Sequence, residues 1–396
     1  MKGFIDAMKD KRLVEYCTGC GLCEAENIAT LNENSKGFSY PQSGDEEKLK
    51  RLCPATGGFE KYMDSSEIWG KNKAVYLGWS NHGEIRSKAS SGGVLTELAC
   101  FLIENNRVDA IIHIGASECN PTKTQVYFSR SRKEIVARCG SRYSVSHPLS
   151  KLAEIDKSLK YCFIGRPCDV VALRKYMEIK PELKSIIPYT FSFFCMGIPS
   201  AQAQEALLKA LNCSTENCRE LTYRGNGWPG FTTAVDTEGV EHRMDYDSSW
   251  GKILGRDLMP ACRFCIDGVG ELADISCADA WYLDNDGKPD FSEREGRNAV
   301  FARTDKGAEL INEAKASSYI TVTEYDGFCQ ELKLIQKSQY ERRAAMRARL
   351  AALKLTRRPY PACCAKLLKS YSAQLPKKKQ LKIFLGTCKR IVKGKL

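Results

Sequence analysis

Three cysteines within seven residues constrain this chain more than any other feature. Cys17, Cys20 and Cys23 lie in "CTGCGLC", a C-x2-C-x2-C run. Soft thiolates so close together on one loop point to a common metal centre. The cluster-binding form of this run closes with Cys-Pro shortly after the third cysteine, yet Asn27 and Ile28 stand there. The next Cys-Pro pair is Cys53-Pro54, in "RLCPATGG". The pattern therefore predicts one 4Fe-4S cluster on Cys17, Cys20, Cys23 and Cys53, with a long insertion before the last ligand. Gly19 and Gly21 let the loop curl so that backbone N–H groups face the sulfurs. A structural zinc ion, which also takes four cysteines, is the bland alternative.

The chain has 396 residues and 19 cysteines. "MKGFIDAMKDKR" lacks the apolar core of a signal peptide, and no apolar run reaches the roughly 18 residues of a spanning helix. A cytoplasmic location is expected. In a reducing compartment so many cysteines are not read as disulfides, and metal ligation becomes the leading explanation.

Residues 1–65 read as a loop-rich segment carrying the first cysteine cluster. Residues 66–332 alternate strand and helix signals, as an α/β domain does. Strands are expected at 74–80, 108–116, 124–131, 161–165 and 185–195, and helices at 92–106, 168–177 and 201–211, with a short helix in "KLAEIDKSL". Residues 333–396 form a basic helical tail. Between Glu331 and Leu396 stand 19 Lys and Arg against 2 Glu, while the rest of the chain is slightly acidic.

Cys168 in "GRPC", Cys195 in "FFC", and Cys262 and Cys265 in "CRFC" sit in loops that neighbouring strands can bring to one point. They are candidates for a second cluster, with Cys277 as a competitor. The remaining cysteines read as packing or surface residues. "KASSGGVLTELACFL" sets Ser90, Ser91, Gly92 and Gly93 at a helix start, with Thr96 one turn in. That is either an anion site or a plain cap on Ser91. Of four histidines, His113 reads as a core residue and only His147 stands beside a candidate motif. No Ser-His-Asp set and no H-E-x-x-H run is present.

Taken in order, "CTGCGLC" with its later "CP", "SSGGVLT", "GSRYSVS", "GRPCDV", "FFCMGIPS", "YRGNGWPGF" and "CRFCIDGVGELADISCADAWY" resemble the coenzyme F420 hydrogenase/dehydrogenase beta subunit family over residues 12–330. The resemblance implies a flavin-binding α/β domain behind a ferredoxin-like segment, with FAD and one or two 4Fe-4S clusters. It implies that Ser90, Ser91, Gly92, Gly93 and Thr96 hold FAD phosphates, with Gly92 allowing close approach to the backbone. Ser141, Arg142 and Tyr143 would lie near the flavin. Cys168, Cys195, Cys262 and Cys265 would hold the flavin-side cluster. Two departures stand out. Arg142 occupies a position where the family usually has lysine, so a catalytic role there rests on a group that does not readily give up a proton. Cys277 replaces a usual glycine.

The implied function is an oxidoreductase passing electrons between a one-electron carrier, such as a ferredoxin, and a two-electron small-molecule substrate. The alternative is a relay subunit serving a catalytic partner. Coenzyme F420 is one substrate among several, and tailoring of a cell-surface polysaccharide is another setting. "NGWPGF" and Trp281 are offered as walls near the flavin. In the tail, Leu381, Phe384, Leu385, Cys388, Ile391 and Val392 fall on one helical face amid lysines. Such a helix suits the inner membrane surface, an acidic partner, or packing on the domain. Nucleic acid is not expected, since no reading module accompanies the charge.

Overall fold

The computed structural model describes residues 9–57, 63, 65, 67–361 and 363–394. Its centre is an eight-stranded mixed sheet. The strands are β1 (Ala74–Ser80), β2 (Ala110–Ala116), β3 (Thr124–Ser129), β4 (Tyr161–Ile164), β5 (Tyr189–Phe193), β6 (Ile275–Asp279), β7 (Asn298–Ala302) and β8 (Ile320–Glu324). Across the sheet they run β8-β1-β7-β6-β5-β4-β2-β3. The four strands β6, β5, β4 and β2 are mutually parallel, and the outer ones join antiparallel.

These strands form because their side chains serve two cores at once. All five residues of β7 are buried. Ala299 and Phe301 pack into one core, Val300 and Ala302 into the other, as the two-residue period of a strand requires. Helices Val94–Glu104 and Asp305–Ala316 cover one face. Helix Pro167–Ile179 covers part of the sheet through Val170, Leu173 and Met177. Between β5 and β6 the chain makes a separate three-stranded sheet, Cys218–Thr222, Thr232–Asp236 and Glu241–Met244. The N-terminal segment folds as a hairpin, Ala29–Glu33 with Ser39–Gly44, and short helices.

Two expectations need correction. "KLAEIDKSL" forms only the single turn Leu152–Glu154. Asp156 accepts bonds from the N–H (2.9 Å) and hydroxyl (2.7 Å) of Ser158, and such local bonds compete with a helix. Of the readings open for the basic tail, packing on the domain holds for most of it. Helices Phe328–Ile335, Lys337–Ala344, Met346–Leu355 and Ala365–Ala373 contribute Leu332, Met346, Leu353, Leu367 and Tyr371 to the largest core. Arg343, inside that basic run, is fully buried. The last helix, Lys377–Val392, does not present the six expected apolar residues together. Ile391 turns inward with Ile383 and Thr387, while Leu381, Leu385 and Val392 stay exposed.

His113 on β2 is the buried neutral imidazole expected of it. Its Nε2 lies 2.8 Å from Ser129 Oγ. Burial, then nearby Arg138, lowers its pKa from 6.5 to about 4. Folding thus disfavours the proton. The benefit is intact above the unfolded value and is lost as pH falls from about 6.5 toward 4, with about 3 kcal/mol at stake. Urea unfolding of the wild type should weaken over that window, and the His113→Gln variant should show a shallower decline. Equal slopes for the two proteins would refute the assignment.

Candidate functional site

The parallel strands end at a cavity, as ligand sites in open α/β sheets do. Its walls come from Gly165 and Arg166 after β4, Phe194–Pro199 after β5, the Ser90–Gly93 turn, and the loop carrying Ser141, Arg142 and Tyr143.

The helix entered by the serine–glycine turn is capped by Gly93, whose φ of 77° favours glycine, and not by Ser91. Ser91 Oγ instead donates to the Arg297 carbonyl (2.9 Å). Ser90 Oγ accepts the Ser141 N–H (2.6 Å), which joins the two expected flavin loops. A β carbon on Gly92 would stand 2.8 Å from both Asn298 Oδ1 and the Gly78 carbonyl. Glycine is therefore required there by the protein's own packing, and Gly92→Val is a folding lesion before it is a binding one. Thr96 lies in the cavity wall with Leu95, and first-turn N–H groups lack partners within a helix.

The first four cysteines are brought together from separate elements. Cys17 and Cys20 lie on the N-terminal loop, Cys23 on the turn Leu22–Ala25, and Cys53 at the end of helix Glu46–Leu52. Gly19 (φ 65°) and Gly21 (φ 85°) give the loop its curl, and Gly19 N–H donates to Cys17 Sγ (3.4 Å). A β carbon on Gly21 would meet Ser150 at 2.9 Å. His147 fastens the same loop, its Nδ1 2.8 Å from the Gly19 carbonyl. Lys175 donates to the carbonyls of Cys53 and Gly57, both at 2.7 Å, and so anchors the Cys53 end. Burial pushes all four thiols up, and charge on their neighbours adds to it: Cys53 and Cys23 act on Cys17 and Cys20, and Cys53 acts on Cys23.

The second four also converge. Cys168 lies in the first turn of helix Pro167–Ile179, Cys195 just after β5, and Cys262 in the turn Pro260–Arg263 beside Cys265. Burial raises each thiol, Cys262 to about 11 and Cys265 to about 12. The Cys195 N–H donates to the Gly268 carbonyl (2.9 Å) and a β carbon on Gly197 would stand 3.3 Å from the Cys262 β carbon, so the loop after β5 lies against the one carrying Cys262 and Cys265. Cys277 does not join them. Its side chain packs into the core that holds Val300, and burial followed by Arg303 accounts for its raised pKa.

Among the described residues, no three His, Cys, Asp or Glu side chains converge tightly enough to hold a single metal ion. The thiols nevertheless fall into two groups of four, Cys17 buried and the other seven partly buried, several of them with backbone N–H groups directed at sulfur. Buried thiols held protonated exchange those protons for a metal when one binds. This donor set fits iron–sulfur chemistry.

Arg166 links the tetrads, a role sequence reading missed. Burial opposes its charge, but the Asp169 carboxylate outweighs that and keeps it protonated. It donates to both oxygens of Asp169 (2.7 and 2.8 Å). Its charge also reaches Cys17 in the first tetrad and Cys262 in the second. Cys17 and Tyr40 belong to one small core against which Cys262 packs, so the tetrads are close. From the tail, Gln339 and Arg342 donate to the Cys195 carbonyl (2.7 and 2.6 Å).

Arg142 lines the cavity but holds the carbonyls of Leu221 (3.0 Å) and Lys123 (3.1 Å), and burial lowers its pKa. Tyr143 packs on Trp250 at 4.6 Å. Arg224, also unforeseen, grips Asp279 with two bonds (2.9 and 3.0 Å) and lies over Tyr246 and Trp281. Trp228 stacks on Trp281 at 4.5 Å and donates to Asp279 (3.0 Å). Trp281 and Tyr246 thus line the cavity with Trp228 stacked behind Trp281, and the Arg224–Asp279 ion pair stiffens that side.

Comparison with known proteins identifies the family. Residues 75–153 match the model for the coenzyme F420 hydrogenase/dehydrogenase beta subunit N-terminal region, and residues 158–327 match its C-terminal counterpart. The chain is 27% identical over 271 residues to the coenzyme F420 hydrogenase subunit beta of Methanosarcina barkeri, covering 66% of this chain and 86% of that one. It is 24% identical to the coenzyme F420-dependent sulfite reductase of Methanocaldococcus jannaschii over 83% of this chain, but spans only 50% of that protein. A solved structure of the F420-reducing [NiFe] hydrogenase complex from Methanosarcina barkeri contains a chain of the same fold. The TM-score is 0.58 at 23% identity, covering 75% of this chain and 97% of that one. The chain belongs to the coenzyme F420 hydrogenase/dehydrogenase beta subunit family.

Proposed function

We propose that this protein is an iron–sulfur flavoprotein oxidoreductase that carries electrons between a one-electron partner and a two-electron substrate. What supports the reading most is the grouping of the two cysteine sets beside the cavity. Arg166 and Cys195 of the second tetrad both lie in the cavity wall, and Cys17 of the first tetrad shares a small core with Cys262 of the second.

Cys17, Cys20, Cys23 and Cys53 would hold one 4Fe-4S cluster, and Cys168, Cys195, Cys262 and Cys265 the other. Ser90, Thr96 and the 141–143 loop would hold FAD. Bound there, a flavin supplies the exchange between single electrons and a hydride. The chain's own residues do the remaining work. Trp281 and Tyr246 exclude water from one side of the cavity, and Trp228 backs Trp281. Arg224 is already neutralised by Asp279, so it shapes that wall more than it attracts an anion. Arg142 orients the loop that joins Ser90; its three-carbonyl setting favours positioning over proton transfer. A relay role for a catalytic partner is the second reading, favoured by the likeness to a chain from a hydrogenase complex.

Anaerobic purification with iron, sulfide and flavin analysis tests the first reading. Two clusters and one flavin per chain are expected, and a zinc-bound, colourless protein would exclude it. Cys53→Ala should remove one cluster and leave the second; unchanged iron would take Cys53 out of the ligand set. Flavin-dependent turnover by the isolated chain, with an artificial electron donor, separates an enzyme from a relay.

A further inference from the structure

The last helix, Lys377–Val392, is apolar on two sides. One side packs on the domain through Ile383, Thr387 and Ile391. The other is bare. Leu381, Leu385 and Val392 are 57%, 56% and 82% exposed. Their spacing puts them in a single stripe, since residues four, seven and eleven apart share a helical face. The stripe is roughly 17 Å long at the helical rise.

The charge beside it has one sign. Between Pro376 and Gly394 there are seven Lys and Arg and no Asp or Glu. Lys378, Lys382, Lys389 and Lys393 are exposed and run along one flank of the stripe. Among the described residues, Lys379 is the one of the seven that reaches an acid of the domain, Glu341 at 2.8 Å. Among the described residues no helix is long and apolar enough to cross a membrane. The stripe is a line along the helix axis, bordered by cations over its length.

We infer that this face is a peripheral docking surface for an anionic lipid bilayer. The three aliphatic side chains enter the interfacial region, and the lysines reach lipid phosphates from one side while their stems cover apolar surface. The inner face stays on the domain, so the helix can lie flat on the bilayer without unfolding anything. A linear apolar stripe beside a cationic row suits a plane of anionic headgroups, whereas a compact acidic protein surface gains little from the exposed leucines and valine.

Sedimentation of the full chain with lipid vesicles tests this. It should pellet with vesicles containing phosphatidylglycerol, remain soluble with pure phosphatidylcholine, and be released as salt rises. A variant with Leu381→Asp, Leu385→Asp and Val392→Asp should keep its circular dichroism and lose pelleting. Because all three side chains point to solvent, that variant is not expected to disturb the fold. Failure of the wild type to pellet with anionic vesicles at low salt overturns the inference, as does equal pelleting of the variant. So does a wild-type dimer that the variant converts to monomer, which would assign the stripe to a second copy. Loss of binding to a purified ferredoxin in the variant, with no vesicle binding by the wild type, would assign it to an acidic protein.

Discussion

Replacing Cys265 with alanine is expected to abolish one of two clusters and to stop electron delivery from a one-electron donor to a flavin that stays bound. The second tetrad draws on three separate loops, so it exists only when β4, β5 and the Pro260–Arg263 turn are in place. Metal binding there is coupled to that fold. The first tetrad lies on the N-terminal segment and should keep its cluster. The substitution should be tolerated without metal, because the turn after Cys265 is held independently. Asp267 Oδ1 accepts the N–H groups of Val269, Gly270 and Glu271 at 2.9–3.2 Å. Iron content and the absorption and spin spectra of the variant give the first readout, and flavin bleaching by the donor gives the second. If both match the wild type, Cys265 is not a ligand. Cys277 could not take its place without leaving the core in which it is packed.

The cysteine pattern was the most legible part of the site, because its meaning is local. C-x2-C-x2-C limits where three sulfurs can go, and Cys53-Pro54 offers a fourth from a distance. The strands were legible as well, since near-continuous apolar runs such as "VDAIIHIGA" match buried parallel strands. Groups that act through distant partners were not legible. Arg166 reads as an ordinary basic residue until Asp169 and two cysteine loops surround it. Arg224 and Asp279 lie far apart in sequence, yet they make a bidentate pair. The family resemblance drew attention to both of their motifs without assigning either residue.

The tail shows a different limit. Hydrophobicity placed six residues on one face of the last helix, but that helix has two apolar faces and periodicity cannot say which one the domain takes. Packing chose the one containing Thr387, a polar residue whose hydroxyl is satisfied by the Ile383 carbonyl at 2.8 Å. A polar side chain that bonds its own helix counts against burial in a sequence reading and costs little in the structure. The same reasoning applies to Arg343, which any charge profile assigns to solvent.

Removing Glu271 is expected to destabilise the whole protein by about 3–5 kcal/mol. Arg343 and Glu271 form an ion pair at 2.9 Å with side chains 0% and 2% exposed. Arg343 also donates to Tyr371 Oη (2.7 Å), and Tyr371 in turn donates to the Ser65 carbonyl (3.1 Å). One buried charge therefore ties helix Lys337–Ala344, helix Ala365–Ala373 and the loop after Cys265 together. In Glu271→Ala the guanidinium would be left without its counter-ion in a site water does not reach. Pairing Glu271→Leu with Arg343→Met should recover much of the loss, since replacing both charges with apolar groups removes the desolvation cost along with the attraction. Urea unfolding midpoints at unchanged slope measure both effects. A single-variant loss below about 1 kcal/mol, the range of exposed pairs, would mean that these tail helices are not docked as described. Iron content measured on the same samples then separates two roles for the tail. If it only covers the second tetrad, a destabilised but folded variant keeps its iron. If Gln339 and Arg342 position the Cys195 loop through its carbonyl, loosening helix Lys337–Ala344 should cost iron from that tetrad first.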